Sequence, residues 1–97
     1  MIKVYVEKKK IEITGHSNYD IVGKDIVCSA VSSIVTTTIN GILSINDDAL
    51  KYSYKNDVMT INVIERDNIT DKLIINMIDL LKDLSKDYPK NIIVKEM

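Results

Sequence analysis

Two short segments within the first fourteen residues alternate between apolar and polar side chains. Residues 2–6 and 11–14 each place an apolar side chain at every second position, which is the period of a strand with one buried face. The basic run Lys8–Lys10 lies between them and is interpreted as a solvated hairpin turn, because so short a run falls below the length of a basic tract. The pattern therefore predicts a β-hairpin that ends at Thr14 and Gly15.

From Asp25 to about residue 45, the apolar positions follow helical spacing. The threonines of residues 36–38 lower the intrinsic helix propensity, so burial of the apolar stripe has to hold this segment helical. We expect a central helix with Asp25 as its N-cap. Its apolar stripe consists of Val27, Val31, Ile34, Val35 and Ile42, with Thr38 between them.

The second half of the chain repeats the order of strand, strand and helix. Residues 50–54 and 58–64 alternate in the manner of strands, and Asn56 with Asp57 between them predicts a tight hairpin turn. Helical spacing returns after Thr70. The apolar stripe of this second helix consists of Leu73, Ile74, Met77, Ile78, Leu81 and Leu84.

Pro89 ends the second helix, and residues 91–95 read as a final strand. The order ββαββαβ predicts an α+β fold class, in which a mainly antiparallel sheet packs with two helices. Residues 1–97 are expected to form a single domain, because 97 residues with 45% hydrophobic content support one core. The pattern leaves open the strand order, and whether the helices cover one sheet or lie between two.

Composition narrows the classes of function. A formal net charge of -1 gives no long-range attraction for phosphates, so direct nucleic-acid binding is not expected. No run approaches the roughly 18 apolar residues of a membrane span. The amino terminus also lacks the basic-then-apolar order of a secretion signal. We therefore expect a cytoplasmic protein without membrane contact.

The chain has a single cysteine, Cys28, which excludes an internal disulfide and a multi-cysteine zinc site. Cys28 is therefore either a small core residue or a reactive thiol. A metal site built on His16 and Cys28 would need two more ligands from carboxylates or water. Neither a metal nor another cofactor is expected.

Residues 15–32 contain the only histidine and the only cysteine. With Asp25 as N-cap, Cys28 falls at the third helical position, where unpaired amides and the helix dipole stabilise a negative charge. His16 lies at the start of an aperiodic loop that could fold back over this position. His16 would then accept the thiol proton, Cys28 would attack a carbonyl carbon, and amides of the first turn would be candidate donors to the oxyanion.

Other residues near the cysteine are candidates for supporting roles. Gly15 and Gly23 bracket the loop, which suits a lid whose ends turn sharply. Ser32 lies one turn after the cysteine on the same helix face and could hydrogen-bond to a substrate. Each chemical role has a structural alternative, since Asp25 is equally a cap, Ser32 a polar helix residue and His16 a loop histidine bonded to backbone.

The sequence resembles the ribosomal-processing cysteine proteases of the Prp family at Gly15-His16 and, after a short loop, at residues 23–32. The family pattern is Gly-His, a loop, and then Gly-x-Asp-hydrophobic-Val-Cys-small-small-Val-Ser. Ser17 and Ser29 stand where the family often has alanine, and both changes are small. The resemblance covers essentially the whole chain.

This resemblance implies that His16 and Cys28 are the catalytic dyad of a cysteine protease. It further implies that Gly15, Asp25 and Ser32 occupy positions that support activity or substrate binding. The family is typically a homodimer. It removes a short amino-terminal extension from the precursor of a large-subunit ribosomal protein of the L-twenty-seven type, cutting after a paired-phenylalanine segment.

An aromatic-rich peptide substrate needs an apolar groove. Tyr19 belongs to the loop that would cover the site and is the leading candidate for lining the groove. Other candidates are Tyr5, Val22, Tyr52 and Tyr54. Two alternatives to the protease remain, namely a non-catalytic ribosome-assembly factor that binds the same protein tail and a redox sensor that acts through the lone thiol.

Overall fold

The computed structural model describes residues 1–15, 25–65 and 67–97. Within them the chain forms, in order, β1 (Ile2–Val6), β2 (Lys10–Thr14), α1 (Ile26–Ile45), β3 (Leu50–Lys55), β4 (Val58–Val63), α2 (Asn68–Asp87) and β5 (Ile92–Glu96). The predicted order ββαββαβ is confirmed. The predictions that concern His16, Tyr19, Val22 and Gly23 lie outside the described residues.

The five strands form one sheet with the order β3-β4-β2-β1-β5. Both predicted hairpins are present, and β2 also pairs antiparallel with β4. The turn between β3 and β4 uses left-handed backbone at Asn56 (φ 53°) and Asp57 (φ 62°), as a tight hairpin turn requires. β5 lies parallel to β1, because α2 carries the chain back along the sheet before β5 begins. The sheet is therefore mainly antiparallel, as predicted.

The strand register puts the apolar side chains on one face of the sheet. Val4 pairs with Ile13, and Ile11 pairs with Ile61, so alternate residues of neighbouring strands continue one apolar surface. Every buried strand residue lies on this face. The two helices contact each other and share the core with these residues. The domain is therefore two layers, with one sheet covered on one side, which decides between the arrangements that the sequence left open.

Helix α1 buries one stripe of side chains and has no charged residue. Within the predicted stripe, Ile34 and Thr38 are only half-buried. The segment has a mean hydropathy of 1.7, so its length and composition alone would allow it to cross a membrane. A helix that packs into a domain core passes the same test, and α1 packs on the sheet. Its buried residues are Val27, Val31, Val35, Ile39 and Ile42.

Helix α2 begins at Asn68, so the prediction that it starts after Thr70 is wrong. Asp67 is the N-cap, and its carboxylate accepts hydrogen bonds from the Thr70 amide at 2.7 Å and from the Thr70 hydroxyl at 3.1 Å. These bonds satisfy the polar groups of Thr70, which is buried in the first turn. The Thr70 amide also lowers the pKa of the Asp67 carboxyl. The resulting stabilisation is present above the pKa that Asp67 has in the unfolded chain, and it is lost as the pH falls through the lower pKa of the folded protein. The helix ends before Pro89, as predicted.

Candidate active site

Cys28 is the third residue of α1, and Asp25 is the N-cap, as predicted. The Oδ1 atom of Asp25 accepts hydrogen bonds from the backbone amides of Val27 and Cys28, each at 3.0 Å. The Asp25 side chain is itself buried. Asp25 therefore fixes the path of the first turn and, through it, the position of the Cys28 side chain.

The same cap changes the expectation for the oxyanion. The amides of Val27 and Cys28 donate to the Asp25 carboxylate, and the Ser29 amide donates to the Asp25 carbonyl at 3.1 Å. The prediction that the amides of the first turn are free to receive an oxyanion is therefore wrong for these three. The Asp25 carboxylate also offsets the positive end of the helix dipole at this turn.

A groove of about 340 Å³ opens beside Cys28, which is half-buried and lines it. Gly15 and Ser32, two residues expected near the cysteine, line the same groove. Ser32 is exposed and follows Cys28 by one turn, as predicted. The sulfur is therefore open to a ligand rather than sealed in the core, which favours the reactive-thiol interpretation over the core residue.

The far wall of the groove comes from the β3–β4 hairpin. Tyr54, Asp57 and Met59 line it there, and Thr36 extends the row of Cys28 and Ser32 along α1. The spacing of four residues could have identified Thr36, because positions i and i+4 share a helix face. Nothing local in the sequence could have identified Met59, which reaches the groove through strand pairing.

The tyrosines of the described strands divide between the two faces of the sheet. Tyr54 lines the groove, as one of the predicted candidates. Tyr5 pairs with Glu12 and lies on the face opposite the helices, so its prediction as a groove residue is wrong. Tyr52 is 53% exposed and is not among the groove-lining residues that the structure describes.

Gly15 occupies a conformation and a space that suit only glycine. Its φ is +87°, and a Cβ atom placed there would lie 2.3 Å from the carbonyl oxygen of Met1. The backbone after β2 therefore approaches the start of β1 closely at the residue that precedes His16 in the sequence. This geometry explains a glycine at this position.

Two other features of the described ranges bear on the choice of site. Residues 1–15, 25–65 and 67–97 contain no group of three His, Cys, Asp or Glu side chains placed to hold a metal ion. A larger groove of about 440 Å³ lies at the opposite end of the sheet, between Val6 and Ile74, away from Cys28. The chemistry favours the smaller groove, because a nucleophile lines it.

Removal of the cap is expected to destabilise the protein by about 1 kcal/mol. Asp25→Ala deletes the oxygen that accepts two amides, whereas Asp25→Asn keeps an oxygen there without the charge. Thermal unfolding should show a Tm lowered by roughly 4–8 °C for Asp25→Ala and a much smaller change for Asp25→Asn. Equal losses in both variants would mean that the charge, rather than the cap, stabilises the turn.

An α+β domain whose lone cysteine lies in the first turn of a helix, open to a groove, has the arrangement of a thiol-dependent hydrolase. The family model of the cysteine protease Prp matches residues 1–93. The chain belongs to this family and is a cysteine protease. No curated protein matches the chain.

Several solved structures share this fold. The essential ribosomal processing protease Prp from S. aureus, with a covalently linked product peptide, superposes with a TM-score of 0.94 at 19% identity, over 100% of both chains. The same protease with a substrate peptide gives 0.87 at 18% identity, again over 100% of both chains. A Streptococcus mutans protein gives 0.81 at 23% identity, over 99% of this chain and 91% of that one. The fold class is thereby confirmed.

Proposed function

We propose that this cysteine protease is an endopeptidase that removes the amino-terminal extension from the precursor of an L-twenty-seven type ribosomal protein. The observation that carries the proposal is the position of Cys28, half-buried in the first turn of α1 and open to the groove. Membership of the Prp family supports the reaction class. The S. aureus protease complexes, with a substrate peptide and with a covalently linked product peptide, support a peptide substrate.

Cys28 and His16 divide the chemistry of the proposed reaction. The thiol gives its proton to His16 as Sγ attacks the carbonyl carbon of the scissile bond. The C–N bond then breaks, the leaving amine takes the proton from His16, and a thioester remains on Cys28. His16 next accepts a proton from water, whose oxygen attacks the thioester. The acid product leaves, and the proton returns to the sulfur.

The oxyanion needs a hydrogen-bond donor other than the amides that already donate to Asp25. Ile26 is the first residue of α1, and no acceptor among the described residues takes its backbone N–H. The amide of a first helical residue points out of the helix start. We therefore place the Ile26 amide as the candidate donor from this turn.

The groove suits an extended peptide with apolar side chains. Ile13, Val35 and Met59 give it apolar walls, and Tyr54 offers an aromatic ring. The volume falls within the range of ligand pockets. Asp57 is the only charged side chain among the described residues that line the groove, so an acidic peptide would be disfavoured. These walls agree with the paired-phenylalanine segment that the family resemblance implies.

The proposal is tested by incubating the protein with a peptide that carries the extension. Mass spectrometry should show two fragments, with the cut after the paired phenylalanines. Added hydroxylamine should intercept the thioester and give the hydroxamate of the amino-terminal fragment. A matched peptide with both phenylalanines changed to aspartate should stay intact. A natural peptide that binds but is never cut would instead favour the non-catalytic ribosome-assembly factor.

The family resemblance also leads us to propose a homodimer, for which the outer face of α1 is the candidate surface. This helix carries no charge over 20 residues, and its outer face includes Ile26, which is 52% exposed, and the exposed Thr37. Interface cores are depleted of charged residues. The exposed positions of α2, by contrast, include charged side chains. A second copy of α1 would cover these side chains.

Thr37→Glu is expected to shift this dimer to monomer, because Thr37 is exposed on the outer face of α1 and a buried carboxylate without a partner is costly. Light scattering coupled to size exclusion measures the change. Asn76→Glu, at an exposed position of α2, is the matched control and should remain dimeric. If both variants remain dimeric, the copies meet through another surface.

A further inference from the structure

The open face of the sheet, on the side away from the helices, gathers positive charge. Register and alternation assign its charged residues, because side chains two apart along a strand share a face. These are five lysines and one glutamate: Lys3, Lys10, Lys51, Lys55, Lys95 and Glu12. The face therefore carries a net charge of +4 in a chain whose net charge is -1, which leaves -5 for the remainder.

Most of this charge is not neutralised by ion pairs. Lys10 contacts Glu12 at 2.9 Å and Glu7, in the hairpin turn, at 3.6 Å. Glu96 faces the helix side and pairs with Lys82 of α2 at 2.7 Å, so it does not reach this face. The other four lysines of the face are exposed, and no carboxylate in the described part of the chain pairs with them.

The charges are spread over a mostly polar surface. Four of the five strands contribute a lysine, and five strands about 4.8 Å apart span roughly 19 Å. Tyr5, Glu12, Thr60 and Ser53 form the central row across β1, β2, β4 and β3. No residue of this face is buried. Tyr5, in this central row, is the one aromatic side chain of the face among the described residues.

We propose that this face binds single-stranded RNA, with phosphates on the unpaired lysines and a base stacked on Tyr5. Lysines that track a backbone and an aromatic ring that stacks a base are the two elements of sequence-tolerant binding to single strands. An acidic protein partner would meet a face with few apolar side chains to anchor an interface. The charge and the ring together favour RNA.

The face is separate from the catalytic groove, because Cys28 lies on the helix side of the sheet. RNA and a peptide could therefore be held at the same time. The choice of RNA rather than DNA rests on the proposed function in processing a ribosomal protein. The presence of the basic face is independent of that proposed function. The prediction that the protein does not bind nucleic acid rests on its net charge. Net charge averages this positive face with the negative remainder of the molecule.

The test uses the Cys28→Ala protein, so that RNA binding is measured independently of cleavage. Fluorescence anisotropy with a labelled single-stranded RNA of about 12 nucleotides gives Kd at several salt concentrations. Four phosphate contacts predict a slope of about -3 in log affinity against log salt, or about 50-fold weaker binding at 200 mM than at 50 mM salt. The variant Lys3→Gln/Lys51→Gln/Lys55→Gln should reduce that slope to about -1.

Two comparisons make the result specific. Lys72→Gln/Lys86→Gln/Lys90→Gln changes the net charge equally, at exposed positions outside the face, and should bind RNA as the parent does. Tyr5→Leu keeps an apolar side chain without the ring, and should weaken binding about 5-fold or more with an unchanged salt slope.

Three outcomes would overturn the proposal. Equal losses in both triple variants would mean that only net charge matters. Binding of polyglutamate as tight as that of RNA, with no effect of Tyr5→Leu, would indicate an acidic protein partner. Unchanged RNA binding in the first triple variant, together with new self-association, would mean that the edge lysines only prevent strands from pairing between molecules.

Discussion

Cys28→Ala is expected to lower the rate of peptide cleavage by about 10⁴-fold or more, because removal of a nucleophile eliminates covalent catalysis and leaves only binding and orientation. Cys28 is the only cysteine of the chain, and it lines the groove. The hydroxyl of Ser32 lines the same groove, but a hydroxyl without an activating base is a weak nucleophile. Single-turnover cleavage, followed by mass spectrometry, measures the loss.

Affinity separates this loss from unfolding. Peptide binding to Cys28→Ala should be close to that of the natural protein, and its circular dichroism spectrum should be unchanged. Ser33→Ala, at an exposed position of α1 that does not line the groove, should cleave at the natural rate. Cleavage that survives in Cys28→Ala would remove Cys28 as the nucleophile.

The double variant tests whether His16 acts on the same step as Cys28. If the two side chains form one dyad, His16→Ala alone should cause a loss of similar size. His16→Ala/Cys28→Ala should then be no slower than either single variant, because residues that act as a unit are not additive. Additive losses would place His16 in a separate role.

Gly15→Ala is expected to destabilise the protein by roughly 2–4 kcal/mol, from a strained backbone and an overpacked contact. A side chain at φ +87° is strained, and its Cβ would lie 2.3 Å from the Met1 carbonyl oxygen. That oxygen belongs to the backbone and cannot swing aside as a side chain would. Thermal unfolding should show a Tm lower by about 10 °C or more.

Gly41→Ala is the matched control for Gly15→Ala. Gly41 lies inside α1, and a Cβ atom there would meet nothing within 4 Å. Alanine is the better helix former, so this variant should gain about 0.5–1 kcal/mol in the free energy of unfolding. A Gly15→Ala protein that unfolds at the natural Tm would show that the chain can relieve the contact by a small shift of its amino terminus.

The sequence predicted the elements well, because each depends on neighbours along the chain. Alternation and helical spacing identified all five strands and both helices. Asp25 was identified as the N-cap because its side chain needs only the amides two and three residues ahead. The error at the start of α2 has the same origin. Thr70 has the character of a cap, but Asp67, three residues earlier, is the cap and accepts the Thr70 amide.

The candidate site was predicted only in part. The helix spacing brought Cys28 and Ser32 to one groove. The far wall depended on how the β3–β4 hairpin pairs with β2, where Met59 lies opposite Ile13. Free first-turn amides were expected at the helix start, but the same aspartate that positions the cysteine occupies three of them.

The sequence by itself determined what short-range chemistry controls: the order of the elements, the two hairpin turns, and a thiol at the third position of a capped helix. Only the tertiary structure decided the order of the strands, the close approach of Gly15 to Met1, and the gathering of scattered lysines onto one face of the sheet. Those features depend on register between segments far apart in the chain, and a pattern read along one segment carries no information about which partner it will meet.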